Sequence, residues 1–271
     1  MQDIQFTISK KICNDLINNN EYLLHNLALI ILKPECLAMN KVNYAIQVLH
    51  EFGFEPIYIK IKKLSQNQAM SLWQYGWKNA NTERIILNFQ AATWKESAIL
   101  ILRDTNKLHE DSCMFLNNFK GSSINSSSNS HTIRGRLGTI NNYINFVHCS
   151  DNYDEFVREL FIRLDITDFI ELIDIVKLNK VCTYELIRDI FDPYINELKV
   201  GDLLLQFKTY INYLISKTNN MSDNLLHQKL VKTYKDRIIS TDLFVELLTK
   251  HQIMWTWEEL LIFTQFTRFD N

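Results

Sequence analysis

Leu27-Ala28-Leu29-Ile30-Ile31-Leu32 is a continuous apolar run closed by Lys33-Pro34, and its length and β-branched content predict a strand buried on both faces. From Lys41 to Phe52 the apolar positions Val42, Ala45, Ile46, Val48 and Leu49 recur at helical spacing, and Gly53 supplies a C-terminal stop. Ile57, Ile59 and Ile61 then alternate with Tyr58, Lys60 and Lys62, the signature of a half-buried strand over 56–63. Helical spacing returns over 65–77 behind Ser65 as N-cap, a second buried strand is expected over 97–103, and a helix over 106–118. The Ser/Asn stretch 121–130 reads as a surface loop, 143–147 as a short strand, and the residues after Asp151 as a helix with Phe156, Leu160 and Phe161 on one face.

Beyond residue 166 the pattern is helical throughout, over 167–178, 183–198, 201–217, 222–236, 240–251 and 256–267. Thr167, Thr183, Ser222, Ser240 and Thr256 stand where N-caps are expected, and Thr256 with Glu259 forms a capping box. No fixed repeat period emerges, which argues against a helical solenoid. The pattern divides the chain into a helical extension over 1–26, around Ile8 to Ile17, an α/β unit over 27–165 and a helical unit over 166–271.

Composition narrows the functional classes. Hydrophobic residues are 46% and charged residues 22% of the 271, enough for a real core. Six Gly and three Pro are too few for the frequent turns of a β-sandwich. Lys+Arg 29 against Asp+Glu 31 leaves a net charge of −2, without the basic footprint of a nucleic-acid binder. The longest apolar run falls far short of the roughly 20 residues of a membrane span, and the first residues lack a signal peptide's pattern. Five scattered cysteines without a CxxC pair fit a reducing compartment, and a cytoplasmic protein is expected. There is no HExxH, no P-loop and no dinucleotide-binding GxGxxG.

Candidate chemistry sits in three segments: Lys33-Pro34-Glu35, Thr132-Ile133-Arg134-Gly135, and Asn145-Phe146-Val147-His148-Cys149-Ser150-Asp151. Neutral imidazole is a competent nucleophile, a carboxylate partner fixes its tautomer, and a lysine with an arginine can cancel charge developing on phosphoryl oxygens. In this order, with Gly53-Phe54 closing a helix and Glu159 eleven residues past the histidine, the segments resemble the nucleoside diphosphate kinase family over residues 27–165.

The resemblance implies an α+β, ferredoxin-like domain over 27–165, and the apolar spacing adds an all-helical domain after it. It further implies that the γ-phosphoryl of ATP or another NTP passes through His148 to a nucleoside diphosphate, with Mg²⁺ bridging the phosphates and no metal held by the protein alone. His148 would be the nucleophile, Lys33 would contact ribose and the transferred phosphate, and Arg134 would clamp the phosphates. Asn145 would bind the sugar, Glu159 and Ser150 would support the ring, and Ser123 would stand in for a phosphate-contacting threonine. Among Trp73, Tyr75 and Trp77, Trp73 is the candidate for stacking on the base, with core packing as the alternative for the cluster.

Departures from the family pattern shape the expectation. Cys36 and Cys149 replace small residues, Arg136 replaces an acid, and Asn117 falls near the place of a second phosphate-binding arginine, leaving Lys120 or Arg136 to supply the charge. The expected function is a phosphotransferase acting on a nucleoside diphosphate or on a specialised small-molecule acceptor. The alternative is a weakly catalytic nucleotide-binding scaffold whose helical unit engages a protein. A homo-oligomer is compatible with either; nucleic-acid and membrane partners are not expected.

Overall fold

The apolar run Leu27–Leu32 forms β1, every residue of it buried, in the interior of a four-stranded sheet. The computed structural model describes residues 4–17, 23–77, 80–106, 111–122, 130–194, 201–218, 224–250 and 256–268. β1 pairs antiparallel with β3 (Glu96–Asp104) on one side and with β4 (Val147–Cys149) on the other, and β3 pairs antiparallel with β2 (Phe54–Lys63). The spatial order β2-β3-β1-β4 with all pairs antiparallel is the ferredoxin-like arrangement. Because β1 and β3 are interior strands, their side chains are buried on both faces and read as unbroken apolar runs, whereas the outer β2 alternates along its second half.

The helices obey local capping rules. After α1 (Ile4–Leu16), the short α2 (Pro34–Ala38) starts directly off β1 with Pro34 in its first turn, where a missing N–H costs nothing. Then come α3 (Val42–Glu51), α4 (Gln66–Trp73) behind a Ser65/Gln68 capping box, and α5 (Thr82–Thr93) behind Asn81. Asp111 caps α6 (Ser112–Lys120), Thr132 caps α7 (Ile133–Leu137) and Asn152 caps α8 (Tyr153–Arg163). α1 packs along α8 and buries Cys13 in the main core, joined there by Ile17 just past its end.

The remaining helices are α9 (Ile166–Lys177), α10 (Tyr184–Phe191) with a 3₁₀ turn at Asp192–Tyr194, α11 (Leu203–Thr218), α12 (Asn224–Asp236), α13 (Thr241–Lys250) and α14 (Trp257–Phe266). α9 and α10 bury Phe169, Leu172, Ile187 and Phe191 in the same core as the sheet, whereas α11 to α14 surround a second core. That second core also takes in Leu87 and Ala91 of α5 and Tyr143 and Ile144, so the helices from α11 onward pack directly on the α/β part.

The structure departs from the sequence expectations in several places. The strand expected over 143–147 is shifted to Val147–Cys149, because Tyr143 and Ile144 face the second core, Phe146 the first, and Phe146 turns the backbone with φ of 67°. Helices α2, α5 and α7 were not expected, and the helix expected over 106–118 begins at Ser112. α9 is capped by Asp165, with Asp168 closing the box, in place of Thr167. The region after 166 also contains a short parallel pair, β5 (Ile239–Ser240) with β6 (Thr267–Arg268). The expected cap at Ser222 and most of the 121–130 loop lie outside the described residues.

Candidate active site

Glu35 organises the entrance to the site. Its side chain is fully buried, and one carboxylate oxygen accepts the backbone N–H groups of Asn145 (3.1 Å) and Phe146 (3.0 Å) and pairs with Lys33 Nζ at 3.1 Å. The Phe146 carbonyl in turn accepts the Lys33 N–H at 2.8 Å. A left-handed non-glycine residue is strained, and these bonds hold Phe146 there. The turn delivers Asn145 to the pocket just before His148 emerges from β4. The second oxygen of Glu35 has no hydrogen-bond partner among the described residues.

His148 occupies the short β4 opposite Ile31 of β1, a placement fixed by the sheet. Its Nε2 lies 2.9 Å from Glu159 Oε1, and the other oxygen of Glu159 accepts the Ser150 hydroxyl at 2.8 Å. Burial pushes the Glu159 carboxyl up, but the charge of the His148 ring, the bonds from the ring and Ser150, and Arg158 outweigh it, leaving it below the ordinary carboxylate range. An ionised carboxylate only accepts, so in the neutral ring it is Nε2 that carries the proton and Nδ1 that is left with the lone pair.

Lys33 and Arg134 converge from different elements. Lys33 Nζ donates to the Tyr143 carbonyl (2.6 Å) and Asn145 Oδ1 (3.3 Å). Arg134, on α7, donates to the Val147 carbonyl (2.8 Å), the Gly121 carbonyl (3.0 Å) and Asn145 Oδ1 (3.4 Å). Burial lowers the pKa of the Lys33 ammonium, with Arg134 adding to the effect against the opposing pull of Glu35; burial likewise lowers Arg134. Two cations held close in a partly dry site favour an anionic ligand between them.

These groups line one cavity of about 400 Å³, formed by Lys33, Trp73, Trp77, Asn88, Ala92, Arg134, Asn145, Val147 and His148. Trp73 stands edge-on to the His148 ring, centroids 5.8 Å apart, and leans on Trp77. Its helix is anchored by Arg158, which is buried and donates to the Ser71 (2.7 Å) and Leu72 (3.2 Å) carbonyls near the end of α4. A wider cleft between α3 and α10 is lined by Ile46, His50, Cys182 and Tyr184, but among the described residues no such pair of buried cations faces it.

The structure thus brings together Lys33, Trp73, Arg134, Asn145 and His148 at the cavity, with Glu159 and Ser150 behind the ring. Ser123 lies outside the described residues. Arg136 does not supply the missing charge, because it is drawn to Glu51 at 2.5 Å and sits over the Tyr44 ring. Lys120 pairs with Asp151 at 3.3 Å, and Asn117 accepts from the Cys149 thiol at 3.9 Å. Cys149 does not disturb the turn, since it is a buried strand residue opposite Ile30 without a left-handed backbone, and burial raises its thiol to about 12. Cys36 is likewise buried in the core and stays off the cavity wall. Sequence reasoning missed Asn88, Ala92 and Arg158; only the adjacency of Arg158 to Glu159 hinted at any of them.

The profile of the family described as nucleoside diphosphate kinase matches residues 26–168. No curated protein matches the chain by sequence. Among solved structures, the nucleoside diphosphate kinase of Aquifex aeolicus is 14% identical with a TM-score of 0.44, covering 53% of this chain and 97% of its own. That of Borrelia burgdorferi, with bound vanadate and ADP as a transition-state mimic, is 14% identical with a TM-score of 0.45, covering 52% and 88%. That of Halobacterium salinarum, in complex with CDP, is 16% identical with a TM-score of 0.44, covering 52% and 89%.

Proposed function

The chain belongs to the nucleoside diphosphate kinase family through residues 26–168, and from that premise we propose that it moves the γ-phosphoryl of an NTP through His148 to a nucleoside diphosphate. The observation that carries this reading is the bond from Nε2 of His148 to an ionised, buried Glu159, which leaves Nδ1 as the nucleophile beside Lys33 and Arg134.

In the first half-reaction the Nδ1 lone pair forms a bond to the γ-phosphorus while the bond to the β–γ bridging oxygen breaks, and the nucleoside diphosphate leaves with that electron pair. The imidazolium-like charge on the ring is balanced by Glu159. Lys33 and Arg134 are placed to hold the phosphates and cancel charge spreading over the equatorial oxygens. In the second half-reaction a terminal phosphate oxygen of the acceptor attacks the same phosphorus and the P–N bond breaks, restoring the Nδ1 lone pair. Trp73 and Trp77 offer aromatic surface to the base, and Asn145 its amide to the sugar.

Among the described residues no group of three or more His, Cys, Asp or Glu is placed to hold a metal. Lys33 and Arg134 would hold the phosphates of a nucleotide that carries Mg²⁺, and the ion would supply further neutralisation of their charge. A relay of this kind obeys ping-pong kinetics. Initial rates with varied ATP at several fixed GDP concentrations are expected to give parallel double-reciprocal lines; intersecting lines would overturn the covalent relay.

A second reading, a nucleotide-binding scaffold, draws on one observation: Arg134 is the single arginine lining the cavity among the described residues, with Asn117 near the place of a second. Mg·ADP binding without any transfer to nucleoside diphosphates would favour it.

A further inference from the structure

The cavity is built partly on elements that also bury residues in the second core. α5 brings Asn88 and Ala92 to the cavity while burying Leu87 and Ala91 against the later helices. At the start of α14, Trp257 meets Trp94 at the end of α5 edge-to-face, centroids 4.8 Å apart. The turn over 141–146 faces both ways too: Tyr143 and Ile144 enter the second core, whereas Asn145 lines the cavity.

Asn141 joins these parts with a single side chain. Its Oδ1 accepts the N–H groups of Tyr143 and Ile144, both at 2.9 Å, an Asx turn that fixes the backbone locally. Its Nδ2 donates to Thr264 Oγ1 (3.3 Å) and Gln265 Oε1 (3.2 Å), both on α14. The turn that it fixes presents the Tyr143 carbonyl to Lys33 Nζ at 2.6 Å and leads directly to Asn145, whose Oδ1 accepts from both Lys33 and Arg134. One amide therefore connects α14 to the carbonyl that orients Lys33.

We propose that Asn141 is a positioning residue of the nucleotide pocket, through which α14 sets the placement of Lys33 and Asn145, so that the helices after α10 form part of the working site. The role in nucleotide binding rests on the function proposed above, whereas the mechanical link does not. Packing alone would hold the two cores together; the Asn141 bonds add control over the turn.

The test uses the full chain carrying Thr264→Val with Gln265→Ala, which removes both acceptors on α14 and leaves every cavity residue in place. Amide hydrogen exchange over 139–146 is expected to rise about tenfold, the scale of losing one or two hydrogen bonds, while β1 and β3 stay protected. Mg·ADP affinity and the KM for ATP are expected to weaken about tenfold, with a smaller change in kcat. Thr264→Ser, which keeps the hydroxyl, should behave as wild type. If the double variant fails to fold, Gln265→Ala alone, at an exposed position, should shift the same readouts in the same direction. Unchanged exchange over 139–146 would overturn the link, and changed exchange with unchanged Mg·ADP affinity would overturn the positioning role. Failure of the wild-type chain to bind Mg·ADP would instead overturn the functional reading and the positioning role together, with exchange alone then deciding whether α14 holds the turn.

Discussion

At the scale of single residues, the proposed relay rests on the pairing of His148 with Glu159. Removing the charge while keeping the shape, with Glu159→Gln, deprives the ring of its compensating anion and its enforced tautomer. Turnover is expected to fall about 100-fold, the scale of a misoriented reacting group, while Mg·ADP affinity measured by titration stays near wild type. Lys33 adds a pH dependence. Because burial lowers its pKa, Lys33 loses its proton on the alkaline side earlier than an exposed lysine, so nucleotide affinity should decline there first. Lys33→Arg, which stays charged at that pH, should flatten this alkaline limb in a pH titration of affinity. The convergence of His148, Arg134 and Asn145 on one cavity was legible in the sequence because they sit in short ordered segments. Glu35 stood in the Lys-Pro-acid segment, but its grip on the Asn145 and Phe146 amides depends on backbone geometry that sequence spacing does not reveal. Arg158 was invisible for a related reason: a charged residue is normally exposed, and the carbonyls at the end of α4 together with the Glu155 carboxylate make its burial tolerable.

At the scale of elements, β1 was fully legible, since an interior strand needs apolar residues on both faces and Leu27–Leu32 supplies them without interruption. The 143–147 segment misled because its apolar residues serve two cores and a left-handed turn, a division that periodicity reads as a strand. The contact between β2 and α9 joins the sheet to the later helices. Asp168, nearly buried on α9, accepts the Tyr58 hydroxyl at 3.2 Å, pairs with Lys60 at 2.8 Å and is also bound by Lys62. Burial raises its carboxyl, but the two lysines and the Asp165 backbone N–H outweigh that and hold it well below the usual carboxylate range. Asp168 therefore contributes stability above its unfolded pKa of about 3.9, and the contribution is lost as pH falls through the lower folded value. Asp168→Asn should cost about 1 to 2 kcal/mol in urea unfolding at pH 7, discounted because the lysines are partly exposed. The cost should shrink as the pH is lowered below 4.

At the scale of the whole molecule, the family match ends at residue 168, while the packing continues across that point in both directions. α9 and α10 complete the core of the sheet, and α11 to α14 cover α5 and the turn before β4. A chain ending at residue 194 would expose Leu87, Ala91, Tyr143 and Ile144, which are buried here. It should therefore melt at a lower temperature and bind an apolar dye that the full chain does not. The presence of helices after 166 was readable from their caps, but which core each helix joins was not, because equal amphipathic patterns can bury against either partner. Among the described residues no helix is long and apolar enough to cross a membrane.

The central claim is covalent relay through His148, and brief incubation with γ-labelled ATP and Mg²⁺ tests it most directly. The wild-type chain should acquire an acid-labile, base-stable phosphoryl group that His148→Ala does not, and a chase with a nucleoside diphosphate should remove it. A His148→Ala chain that labels as well as wild type, or a wild-type chain that binds Mg·ATP and never labels, would contradict the account.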